Sequence, residues 1–245
     1  SRFNFAIYGL YMAKKLLFIL LVSFFNLSAQ ETHKTLFSEA LTLNLDTYNT
    51  KVDNALERGE LSYAKSLLDT LVKDHLQGTY IDALKFESLN TFLTSTEDIE
   101  RPTLILTYAS WCIPSEGEIP VLNKMAARYG DMIDFVVLFW DDKSTVKKLS
   151  KQFDKKIQVV YVDETQNKHM RTVNLLKHSL GLSLSFVIAS NGEILDLKRR
   201  PANKLNASIN QTLNENMRFL VRQIAAINID LNINLKDLPE SLATF

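Results

Sequence analysis

The stretch Thr103-Leu104-Ile105-Leu106-Thr107-Tyr108-Ala109-Ser110-Trp111-Cys112-Ile113-Pro114-Ser115 decides the fold. It opens as an unbroken apolar and β-branched run, the composition of a strand buried on both faces. It closes at Pro114, a residue suited to the first turn of a helix, where a missing amide hydrogen costs no bond. The pattern that follows predicts a helix over 114–129, kinked by Pro120 inside it. A strand that hands over directly to a helix is the repeating unit of an α/β sheet, and ligands and chemistry collect at the C-terminal edge of such strands.

Outward from this point the alternation continues. Residues 133–140 and 157–162 read as further buried strands, and 144–153 and 168–178 as helices. Residues 185–189 and 193–197 flank Asn191-Gly192, a strong hairpin signal. An amphipathic helix is predicted from about 204 to 227, and 228–245 reads as an irregular tail. The sum is an α/β fold: a mixed sheet, parallel first and closed by an antiparallel hairpin, with helices on both faces.

Upstream, 79–89 alternates only in places and predicts an irregular strand or hairpin. Before it, Leu36, Ala40, Leu43, Tyr48 and Val52, then Leu61, Ala64, Leu67, Leu68 and Leu71, form two apolar stripes broken at Gly59. These predict an N-terminal helical hairpin packed on the main domain. A tetratricopeptide-type pair has the same outline, but one pair is not an array.

At the N-terminus, Met12-Ala13-Lys14-Lys15 is followed by an apolar run over 16–27 and by Ser28-Ala29-Gln30. Basic, apolar, then small residues is the order of a secretory signal peptide. The run is short for a membrane span, which takes about 20 residues. The organisation read from sequence is therefore 1–29 signal peptide and upstream residues, 30–78 helical hairpin, 79–227 main domain and 228–245 tail. Cleavage would leave an exported chain, periplasmic or otherwise in the cell envelope, with no stable membrane span.

Composition narrows the function. Of 245 residues, 46% are apolar and 23% charged, with zero formal net charge, which gives no footprint for nucleic acid or an anionic membrane. The single cysteine, Cys112, rules out an intrachain disulfide and a cysteine-rich metal site. No spacing suggests a metal or a cofactor. His33, His75, His169 and His178 read as solvated surface positions, and the Lys147-Lys148 and Lys155-Lys156 pairs as helix faces in water.

Cys112 at the start of a helix would sit in the positive end of the helix dipole, which favours a thiolate. Ser115, three residues on, can donate a hydrogen bond to the sulfur. Glu116 and Glu118 act against a second anion. The residues leave that balance open.

The segment 108–115, with Glu118-Ile119-Pro120 after it, resembles the active-site segment of TlpA-like thiol–disulfide oxidoreductases, exported members of the thioredoxin superfamily. Their pattern is Trp-Cys-x-Pro-Cys, then an acidic residue and a helix-kinking proline. The resemblance spans 79–197, roughly half the chain. It implies a thioredoxin-like mixed sheet, with Cys112 and Ser115 in the catalytic positions and Trp111, Pro114 and Leu184 as the site's wall. Two departures stand out. Ser115 replaces the family's second cysteine. Leu184 falls at the family's cis-proline, and a cis bond before a non-proline residue costs about 3 kcal/mol, so the bond before Leu184 is expected to be trans.

In a dithiol enzyme one thiolate attacks and the second thiol resolves the mixed disulfide. Ser115 cannot do the second step. The resemblance thus implies monothiol exchange through Cys112 with protein thiols or disulfides, or else a redox-inactive thioredoxin-fold module that binds another protein. A peroxidase of the peroxiredoxin kind would carry Thr or Ser where Ala109 stands. A cysteine hydrolase would need a histidine near Cys112 in sequence.

Overall fold

A computed structural model describes residues 34–112, 117–166, 168–201 and 207–227. The expected signal peptide, the tail after 227, and Pro114 and Ser115 lie outside these. The described residues from Thr35 on form a single unit.

The N-terminal hairpin is present as α1 (Phe37–Glu57) and α2 (Leu61–Leu71), the latter ending in a π turn, Val72–Leu76. Gly59 takes a φ of 72° between the two helices, a conformation that costs glycine nothing. The stretch 79–89 contributes only a two-residue strand, β1 (Glu87–Ser88). Then follow β2 (Thr103–Tyr108), α3 (Glu118–Tyr129), β3 (Asp134–Phe139), α4 (Lys143–Leu149), β4 (Ile157–Tyr161), α5 (Met170–Val173) running into a π turn Asn174–His178, β5 (Leu184–Ile188), β6 (Ile194–Arg199) and α6 (Ile209–Ala225).

The six strands lie in the order β1-β4-β3-β2-β5-β6. β2 pairs in parallel with β3, and β3 with β4, whereas β5 and β6 run antiparallel to β2 and to each other. This is a thioredoxin-like arrangement. The hairpin between β5 and β6 closes through Gly192 at φ 86°, with its N–H donating 2.9 Å to the Ala189 carbonyl. The register shift at Val187/Ile188 is the bulge that such a turn produces.

All six residues of β2 are buried, because helices cover both faces of the sheet. Leu104, Leu106 and Tyr108 point into one core, with Val121, Leu122 and Met125 of α3 and Met217, Leu220 and Ile224 of α6. Ile105 points into the other, with Phe37 and Leu41 of α1, Leu68 and Leu71 of α2, and Val173 and Leu176 beside α5.

Pro120 occupies the first turn of α3 as described, which begins at Glu118; the start of the helix expected from 114, and with it the expected kink, lies outside the described residues. One surface expectation is corrected. His169 is half-buried rather than solvated: it adopts φ 56° ahead of α5, with Nε2 3.7 Å from Glu87.

Beyond the shared core, a buried acid ties the hairpin to the main domain. The Asp82 side chain is fully buried and accepts from the Ser38 N–H at 2.9 Å, from the Ser38 hydroxyl and from the Arg171 guanidinium. Next to it, Phe37 meets Phe186 edge-on at 6.1 Å between ring centroids. Asp82→Ala leaves the half-buried Ser38 N–H without its acceptor and breaks the pair with the exposed Arg171, so urea unfolding should show a loss of about 2 kcal/mol. A loss below about 0.5 kcal/mol would mean that apolar packing and the main-chain bond from Phe37 to Tyr80 hold the hairpin without it.

Candidate active site

The site forms where β2 ends. After Tyr108 the chain folds back on itself: the Cys112 N–H donates 2.9 Å to the Ala109 carbonyl, closing a short turn over Ala109-Ser110-Trp111. Asp141, just past the end of the neighbouring β3, clamps this turn. Its carboxylate accepts from the Ser110 N–H at 2.9 Å and from the Ser110 hydroxyl. The adjacent ends of two parallel strands thus hold the segment between them.

Cys112 is a half-buried free thiol. Its inner side packs against the core that contains Ala109, Trp140 and Leu184. Trp111 stands out from the surface at 66% exposure. Lys177 lies 5.8 Å from the Trp111 ring centroid and 6.0 Å from that of Trp140, and is ion-paired to Glu164. The described residues thus give a half-buried free thiol beside an exposed indole and a paired cation.

Behind the turn lies a buried polar group. Glu118, the first residue of α3, accepts from the Tyr108 hydroxyl at 2.7 Å and from the Arg200 guanidinium. Arg200 is 5% exposed. It also donates to the Thr107 carbonyl at 2.8 Å and stacks 3.9 Å above the Tyr108 ring centroid. Its Nε finds no hydrogen-bond partner among the described residues. Burial acts to lower the Arg200 pKa, but the charges of Tyr108, Glu118 and Cys112 outweigh it, so the guanidinium is raised and stays charged. Tyr108 is pushed well above the usual phenol range, by burial first and by the Glu118 charge second.

Gly117 allows α6 to close over this group. A Cβ at Gly117 would fall 2.6 Å from the Leu213 main-chain nitrogen, so only glycine lets the two helices approach so closely.

Of the residues expected at the site, Cys112 and Trp111 are brought together at the surface, and Ser115 and Pro114 lie outside the described residues. Leu184 is corrected: it is wholly buried and lines no accessible wall, and its N–H is held by the Thr107 hydroxyl at 2.9 Å. The bond before it is trans as expected, but a cis bond occurs one residue earlier, at Leu182–Ser183. The sequence reading missed Asp141, Lys177 and Arg200. Asp141 had a signal, since it follows the strand beside β2 and the ends of adjacent parallel strands meet. Arg200 had none, because it lies 88 residues from Cys112 in the chain. Among the described residues no group of three His, Cys, Asp or Glu is placed to hold a metal ion, and no helix is long and apolar enough to cross a membrane.

No protein-family model and no curated protein matches this chain. Solved structures similar to it include a thio-disulfide isomerase from Thermus thermophilus, at 18% identity and a TM-score of 0.43, covering 61% of this chain and 96% of that one. A thiol:disulfide interchange protein DsbE from Chlorobium tepidum is similar at 21% identity and a TM-score of 0.42, covering 60% and 96% of the two chains. The thioredoxin domain of a thiol-disulfide oxidoreductase from Bacteroides vulgatus is similar at 16% identity and a TM-score of 0.42, with the same 60% and 96% coverage. The strand order and the mix of parallel and antiparallel pairing define the architecture here independently of these likenesses.

The raised Tyr108 has a measurable consequence. A tyrosine in the unfolded chain loses its proton near pH 10, whereas native Tyr108 keeps it to higher pH. The native state therefore holds more protons above pH ~10, and the stability present below that pH should fall as pH rises. Tyr108→Phe should flatten this fall between about pH 10 and 11 in urea unfolding, and an equal slope in both proteins would place the alkaline transition elsewhere.

Proposed function

We propose that this chain carries out thiol–disulfide exchange through Cys112 alone, in the cell envelope. The observation that carries the reading is the placement of the only thiol: half-buried, free, at the C-terminal edge of the central strand of a thioredoxin-like sheet, beside the exposed Trp111. A small buried hydrophobe, the ordinary role of a free cysteine, would not leave its sulfur within reach of another molecule.

The step is a single exchange. The Cys112 thiolate attacks one sulfur of a disulfide R–S–S–R′, a new Cys112–S–S–R bond forms, and R′S⁻ leaves with the electron pair of the broken bond. With serine at 115 no internal thiol displaces Cys112, so release falls to an external thiol or to a second thiol on the substrate. The arrangement suits monothiol exchange, isomerisation or capture of protein thiols and disulfides, not dithiol reduction. Export is supported by the order of residues over 12–30.

A separate feature favours the second reading, a redox-inactive module that binds a protein. A cleft of about 750 Å³ runs between the helical hairpin and α6, walled by Tyr48, Val52, Leu56, Leu61 and Phe219.

Incubation with glutathione disulfide near neutral pH, followed by intact mass, separates the two. Exchange predicts one glutathione adduct that a thiol reductant removes and that is absent in Cys112→Ser. An unmodified wild-type mass after prolonged incubation would remove the exchange reading and leave the binding module.

A further inference from the structure

We infer that the cleft between the helical hairpin and α6 is the docking site of the chain's own segment 228–245, which follows α6 in the sequence and lies outside the described residues. This is independent of exchange at Cys112.

The cleft has apolar walls over a polar floor that is already satisfied. On α1, Tyr48, Val52 and Leu56 recur every four residues and share one face. Leu61 of α2 and Phe219 of α6 continue that lining. Tyr48 packs against the core, but further along the hairpin Leu56 is 50% exposed and Leu61 60%. Apolar side chains gathered in a cleft, rather than scattered singly, mark a binding surface. On the floor, the Asp196 carboxylate accepts from the Leu197 N–H at 2.9 Å and from the Gln223 amide at 2.7 Å. The Gln223 oxygen accepts from the Ser185 hydroxyl at 2.6 Å. These groups satisfy one another, so what the cleft lacks is apolar filling. Leu197 lies on β6, the edge strand, and its N–H is taken, so the occupant is held by side chains rather than as a seventh strand. Lys65 and Arg222 also line the cleft, exposed and without a bond or ion pair among the described residues.

The segment 228–245 supplies both chemistries. Ile229, Leu231, Ile233 and Leu235 put an apolar side chain at every second position, so extended backbone carries all four on one face. Asp230, Asp237 and Glu240 against Lys236 make the segment acidic, opposite in sign to Lys65 and Arg222. The reach is sufficient. Arg222 lies about 5 Å along the axis from Ala225, where α6 ends, and α1 runs about 12 Å from Tyr48 to Leu56. Residues 228–235 extend to about 26 Å. Tethered to α6, the segment meets the cleft at an effective concentration of about a millimolar, so it outcompetes the same sequence on a second copy at ordinary protein concentrations. A partner protein that uses this cleft must first displace the segment.

Photo-cross-linking on the full chain tests this. The photoreactive residue p-benzoylphenylalanine replaces Ile233 in one protein and Leu235 in another. After irradiation, peptide mass spectrometry should find adducts within 48–68 or 219–223, in material of monomer mass, with a yield unchanged on tenfold dilution. Leu61→Asp, at an exposed position in the cleft, should cut that yield several-fold. Leu43→Asp, on the same hairpin but exposed outside the cleft, should leave it unchanged. Adducts only between two chains, fading on dilution, would overturn the proposal and make this face an interface between copies. Adducts elsewhere in the chain, equal losses in both aspartate variants, or no adduct from either probe position would also overturn it and leave the cleft to another protein. None of these readouts involves Cys112, so failure here leaves the exchange reading standing.

Discussion

A carboxylate and a guanidinium, both nearly shut off from water, meet at the top of this sheet, and the arrangement around Cys112 depends on that contact. Either charge alone would be very costly there, whereas the pair with its added hydrogen bonds is tolerable. Glu118 begins α3, Arg200 follows β6, and both reach the last residues of β2. Three segments far apart in the chain are thus held at one point. Such a pair adds little to stability compared with apolar side chains of equal volume, but losing one partner is severe. Its effect is to fix geometry: the first turn of α3 and the end of β2 cannot separate without stranding a charge. Gly117 belongs to the same constraint, since it lets the α6 backbone close over the group and keep water out.

Two cores lie on either side of the strand that leads to this point. β2 sends Leu104, Leu106 and Tyr108 to the α3 and α6 side, and Ile105 to the side of the helical hairpin. Cys112 packs its inner side against the second core while the pair lies against the first. The chain therefore crosses the edge of the sheet at the turn 109–112. The N-terminal hairpin, fixed through Asp82, completes the second core. In this sense a segment remote from the site decides how deeply Cys112 sits.

What the sequence made legible follows from how local each signal was. The run 103–108, the Asn191-Gly192 turn and the broken stripes around Gly59 encode their structure within a few residues, and each was readable. The first turn of α3 was less so. Pro114 and Pro120 both carry helix signals, and sequence alone does not say which turn comes first. The described helix begins at Glu118, with Pro120 inside its first turn. The helix expected over 168–178 is a four-residue α segment continuing as a π turn, a distinction that apolar periodicity does not resolve. Leu184 failed for another reason: a position aligned to a family motif carries its place in the chain but not its orientation. The side chain of a β5 residue can point into the core, and this one does. Arg200 was invisible because nothing nearby in sequence requires a buried cation. The requirement comes from Glu118, and only the fold brings them together.

A site with one thiol places different demands on its surroundings from a site with two. Where a second cysteine resolves the mixed disulfide, the first thiol needs mainly to attack. Where none does, as in the exchange proposed here for Cys112, the cysteine must also be expelled by an incoming thiol, and the rate of that step rises as the departing sulfur becomes a more stable anion. Stabilising the thiolate raises the fraction ready to attack but weakens each thiolate as a nucleophile, so the two effects on entry partly cancel. The effect on departure has no such offset. For the exchange proposed at Cys112, serine at 115 leaves the lifetime of a mixed disulfide to the outside thiol and to the stability of the departing sulfur, not to a second sulfur in the chain.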